Sequence, residues 1–102
     1  MSEDNLMCFG SNPKLPLFVK SGETQHWMTN LCDKKLQYRL SFENPNSCFA
    51  IDPSQTSGEI KEQGQILLDF TRKPGAGRED KLFIDYTGAV KGRTVVRVLP
   101  VA

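Results

Sequence analysis

A chain of 102 residues is the size of a single domain, long enough to bury a core without disulfide or metal staples. Hydrophobic residues at 38% and charged residues at 25% exclude a disordered or fibrous chain, and a formal net charge of +1 gives no general attraction to nucleic acid or anionic membranes. Three cysteines, Cys8, Cys32 and Cys48, are an odd number with no Cys-x-x-Cys pair, which excludes a fully paired secreted framework and points to reduced thiols in the cytoplasm.

Residues 1–12 read as a poorly ordered tail and residues 13–102 as one β-domain. Met1 to Asn5 is acidic and lacks the basic and apolar regions of a signal peptide. From there the alternation of apolar and polar residues predicts short strands at roughly ten-residue spacing, with turn residues between them. Leu15 to Val19 is the first, and Pro16 argues for a sheet edge. Thr24 to Leu31 is the second, with His26 and Met28 on one face. Leu36, Tyr38, Leu40 and Phe42 alternate with Gln37, Arg39 and Ser41 in a half-buried third strand. Cys48 to Ile51 is a fourth, stopped by Asp52-Pro53, and Ser54 to Gly64 reads as polar and turn-rich. Ile66, Leu68 and Phe70 mark the fifth.

The Pro74-Gly75-Ala76-Gly77 turn and the Arg78-Glu79-Asp80-Lys81 charge cluster open the sixth strand. There Leu82, Ile84 and Tyr86 point to the core, while Lys81, Phe83 and Asp85 point out. Arg93 to Pro100 is the seventh, with Thr94, Val96 and Val98 opposite Arg93, Val95 and Arg97. Its tail, Val95 to Ala102, is broken by Arg97 and Pro100 and is too short for a membrane anchor. Seven such strands in a chain of this length predict an all-β, immunoglobulin-like, seven-stranded antiparallel β-sandwich. It is not the antibody version, because the sixth strand has no cysteine and Trp27 lies on the second strand rather than the third.

Candidate chemistry is sparse. His26 is the lone histidine and the cysteines are scattered, so no metal ligand set is expected. His26 and the thiols read as packing residues rather than a nucleophile and base. Gly75-Ala76-Gly77 lacks the Gly-Lys-Ser/Thr ending of a phosphate loop, and Glu59, Glu62 and Asp69 are scattered over loop and strand. The expectation is no enzyme: no catalytic residue, no metal, no cofactor and no small-molecule substrate. Nucleic-acid binding is not expected either, because outward aromatics interleaved with cations are too few. What remains is a surface. If the third, sixth and seventh strands are neighbours, Arg39 and Ser41, Lys81 and Phe83, and Arg93 and Arg97 share one outer face. Four cations around an exposed phenylalanine suit a protein or acidic peptide partner.

Three stretches resemble the major sperm protein domain family. Asn30 to Leu40 is similar to its asparagine, polar turn and following strand; Phe49 to Pro53 with Gly58-Glu59-Ile60 to its apolar-x-Pro motif; and Arg78 to Ile84 to the Glu-Asp-Lys strand of the small, stand-alone nematode sperm members. The resemblance implies a non-enzymatic protein acting in the cytoplasm through protein partners. One mode is self-association into a homo-oligomer or docking to the cytoskeleton in sperm motility. The other is capture of acidic, phenylalanine-containing peptides on the third and sixth strands. Arg39, Lys81 and Phe83 keep the character of that peptide site. Ser41 stands in place of a lysine, Glu43 adds a repelling charge, and the Thr87 to Gly92 loop is shorter than in filament-forming members.

Overall fold

The computed structural model describes residues 3–4, 6–9, 15–74 and 77–101. Among them are ten strands: β1 (Glu3–Asp4), β2 (Met7–Phe9), β3 (Leu17–Lys20), β4 (Gly22–Asn30), β5 (Leu36–Phe42), β6 (Phe49–Ile51), β7 (Ser57–Ile60), β8 (Gln65–Arg72), β9 (Asp80–Gly88) and β10 (Gly92–Val101). A short 3-10 turn, Pro53–Gln55, precedes β7; the Asp52 carboxylate caps it by accepting from the Ser54 amide at 3.0 Å. One sheet runs β1-β10-β9-β5-β7, with β3 alongside the far half of β10, and the other runs β2-β4-β8-β6. Every ladder is antiparallel except those of β1 and β3, which both lie parallel to β10. The two sheets face each other as an immunoglobulin-like sandwich.

The seven expected strands correspond to β3, β4, β5, β6, β8, β9 and β10. Two departures have physical reasons. Within the expected tail, Met7–Phe9 pairs with Met28–Asn30, and Met7 is wholly buried, so the sandwich begins before residue 13. Three apolar residues are too short a run to show a period, and only a place beside β4 makes them a strand. Within the expected turn region, Ser57–Ile60 pairs with Leu36–Arg39. Three of its four residues are exposed, so it carries no alternation and is recruited as an edge by β5. The Gly75-Ala76 part of the expected turn lies outside the described residues.

Period two then does the rest. Leu36, Tyr38 and Leu40 on β5, Leu82, Ile84 and Tyr86 on β9, and Val96 and Val98 on β10 are buried, as are Met28 on β4 and Leu68 and Phe70 on β8. Each such side chain stabilises the fold by about 1.5–3 kcal/mol through burial. Phe70 sits at the centre of its sheet's inner face, with Phe9 and His26 packed edge-on at 5.8 and 5.3 Å between ring centroids. Gly77 is required by close approach: a Cβ there would lie 2.7 Å from Arg72 Nη1 and from Pro100 Cβ. Arg72 itself is buried, and its Nη2 donates to the Val101 carbonyl at 3.0 Å.

Two of the connections that cross between the sheets, β4 to β5 and β7 to β8, are joined by one buried side chain. Asn30 Oδ1 accepts from the Cys32 amide at 2.9 Å, and Asn30 Nδ2 donates to the carbonyls of Lys34 at 2.9 Å and Lys61 at 3.0 Å. Its own amide donates to the Gly64 carbonyl at 2.9 Å. Removing the side chain strands three polar groups. Asn30→Ala is expected to lower unfolding free energy by about 3 kcal/mol, against no more than about 0.5 kcal/mol for Glu62→Ala on the exposed side of the same turn. Urea denaturation of both variants measures the difference.

Candidate protein-binding face

The candidate face is set by the ladders on either side of β9. Arg39 on β5 and Arg93 on β10 both stand opposite Asp85, Ser41 and Val95 both stand opposite Phe83, and Arg97 stands opposite Lys81. The six expected residues Arg39, Ser41, Lys81, Phe83, Arg93 and Arg97 therefore share one outer surface of the six-stranded sheet. Its internal chemistry differs from the expectation. Arg93 grips Asp85 with two bonds, Nε to Oδ1 at 2.7 Å and Nη2 to Oδ2 at 3.3 Å, and its guanidinium carbon lies 4.3 Å above the centre of the Phe83 ring. Phe83 is half-buried as a result, not an open aromatic. Arg97 makes a second forked pair, with Nε and Nη2 at 3.2 and 2.9 Å from the two Glu79 oxygens. That bonding holds the Glu79 carboxyl below its ordinary range and raises Arg97.

Two of the four cations are thus neutralised by carboxylates that parity alone does not bring together. Arg39 and Lys81 are exposed, and neither forms a salt bridge among the described residues. Beside Arg39 lies an open groove of about 670 Å³ between β7, β5 and β9, bordered by Gln37, Ser57, Glu59 and Thr87. The face is a net-positive strip with a capped aromatic in the middle.

The residues considered for catalysis stay apart from this face. His26 points inward, half-buried, with Nε2 3.3 Å from Thr24 Oγ1, and burial pushes its pKa below the ordinary 6.5. Cys8 is buried, which raises its thiol pKa; Cys32 packs against the core margin, and Cys48 Sγ lies 3.7 Å from the Arg78 carbonyl. Among the described residues no group of three or more His, Cys, Asp or Glu side chains is placed to hold a metal, and no helix is long and apolar enough to cross a membrane.

Comparison with known proteins places this architecture. No protein-family model matches the chain. Uncharacterized protein ZK1307.3 of Caenorhabditis elegans is 35% identical over 74 residues, covering 72% of this chain and 62% of that protein. Uncharacterized protein ZK1307.4 of the same organism is 32% identical over 82 residues, covering 80% of this chain and 69% of that protein. The chain belongs to the family of ZK1307.4. It spans about 62% of the length of ZK1307.3.

The fold is that of the major sperm protein domain. SSP-19, an MSP-domain-like protein of C. elegans, superposes with a TM-score of 0.67 at 20% identity, covering 85% of this chain and 94% of its own. WR4, a C. elegans MSP family member, does so with a TM-score of 0.68 at 20% identity, covering 96% and 100%. The resemblance carried by Asn30 to Leu40, Phe49 to Ile60 and Arg78 to Ile84 lands on the same fold. Those stretches hold the Asn30 hub, β6 with its 3-10 turn, and the buried side of β9.

Because Arg93 is held by its neighbours and Lys81 forms no salt bridge among the described residues, the two differ in their effect on folding. Arg93→Ala is expected to cost about 1–2 kcal/mol, from the lost half-buried ion pair and the uncovered Phe83 ring. Lys81→Ala should change stability by less than about 0.5 kcal/mol. Thermal and urea unfolding of the two variants provides the comparison.

Proposed function

We propose that this chain is a non-enzymatic structural and interaction protein of the major sperm protein type, acting in the cytoplasm of nematode sperm through protein–protein contacts. The contacts are self-association or docking to a cytoskeletal partner. The observation that carries the reading is the outer face of β5, β9 and β10. Three adjacent strands there hold a strip of cations, two of them without salt bridges among the described residues, around a half-buried aromatic. Rigid strands with side chains locked by forked ion pairs form a pre-organised contact surface, which limits the ordering cost of association. The three cysteines, all free thiols, accord with a reducing compartment. Sedimentation across concentration tests the self-association branch. The average mass should rise above that of the 11.5 kDa chain, and a monomer at every concentration would leave only docking to another protein.

A second reading is an adaptor that captures an acidic, phenylalanine-containing peptide on the same face. The exposed cations Arg39 and Lys81, which form no salt bridge among the described residues, favour it. The Arg93 guanidinium over Phe83 already occupies one side of the expected apolar anchor. Under this reading Lys81→Asp weakens binding of such a peptide at least tenfold, and added salt weakens the wild-type complex. Equal affinity of the two proteins in a calorimetric titration would end it.

A further inference from the structure

The opposite surface of the sandwich has the opposite charge. Outward positions of β4 and β8 alternate with the buried ones and pair directly across the ladder, Glu23 with Thr71, Gln25 with Asp69 and Trp27 with Leu67. No outward position of β4, β6 or β8 is a lysine or arginine. Trp27 is 53% exposed, with half-buried Leu67 at its side. Next to this pair on the same face is an open groove of about 750 Å³ whose lining includes Glu23, Asp52 and Asp69. Asp69 is held in place by neutral donors, Gln25 Nε2 at 2.7 Å from Oδ1 and Gln55 Nε2 at 2.9 Å from Oδ2, which orient the carboxylate without cancelling its charge. None of the three acids forms a salt bridge among the described residues.

We propose that this acidic, tryptophan-bearing face docks onto the β5-β9-β10 face of a second copy of the chain, head to tail. The occupant is argued from charge. Arg39 and Lys81 on one face form no salt bridge among the described residues, and neither do Glu23, Asp52 and Asp69 on the other. Docking either face on its own counterpart would set like charges against each other, so a two-fold symmetric contact through these surfaces is disfavoured. Trp27 supplies the desolvated aromatic centre that such an interface needs. Principal extents of 41, 24 and 23 Å give each face room for the roughly 800 Å² per partner that a stable contact buries. Because the two faces lie on opposite sides, the contact is heterologous and repeats from one protomer to the next.

This rests on the self-association reading above and names its surfaces. The test uses two double variants of the full chain, each changing only exposed side chains without salt bridges: Glu23→Lys with Trp27→Lys, and Arg39→Glu with Lys81→Glu. Circular dichroism melting confirms that both fold. In sedimentation equilibrium the wild type should gain mass with concentration, and each variant alone should associate at least tenfold more weakly. Mixed together they should associate, because the first variant retains the basic face and the second the acidic one. Variants that assemble like the wild type, or a mixture that stays monomeric, would overturn the proposed surfaces while leaving self-association in place. A wild type that is monomeric throughout would remove both.

Discussion

Everything in this molecule hangs on how the chain changes sheets, and that depends on the amide of Asn30. A sandwich needs connections that leave one layer and enter the other, and their backbone groups come to lie where water cannot satisfy them. Here two such connections pass the same point. One buried side chain supplies an acceptor to the first connection and two donors, one to each. Because Asn30 ends β4 and fixes where β5 begins, it also fixes which residues of β5 face outward. A shift of one residue at this turn would bury Arg39 and expose Tyr38.

The outer face of β9 shows how a strand's solvent side acquires a character that no single residue has. Phe83 by parity is an exposed aromatic. The antiparallel partner brings Arg93 diagonally across it and Asp85 next to that arginine, which turns an open apolar spot into a covered, charged ridge. The guanidinium is held by the carboxylate in a forked geometry, so its stacking on the ring costs little additional ordering. Arg97 is treated likewise by Glu79 from the preceding loop. The free charge left on the face is smaller than the sequence count of cations, and it is concentrated at Arg39 and Lys81.

The separation of charge between the two outer surfaces follows from the same geometry. A near-neutral chain has no overall field, yet alternation assigns each outward charged residue to a layer, and here it leaves an excess of cations on one and an excess of carboxylates on the other. Interactions of this kind act over about a Debye length and are felt only at contact. They bear on recognition and register between molecules more than on the stability of the sandwich itself.

The sequence by itself determined the layers. Alternation in Leu36–Phe42, Leu82–Tyr86 and Thr94–Val98 is long enough to name the buried side of each strand, and sidedness in a strand is a local property of period two. It determined which residues could share a face, and its three family-like stretches fall on the fold's structural joints. It could not reveal β2 or β7, whose residues carry too little pattern and become strands only because β4 and β5 offer them an edge. Nor could it show that Arg93 and Arg97 are neutralised, or that Trp27 and Leu67 stand side by side. Those facts depend on register between strands distant in sequence, and register is decided only when the two sheets close over a common core.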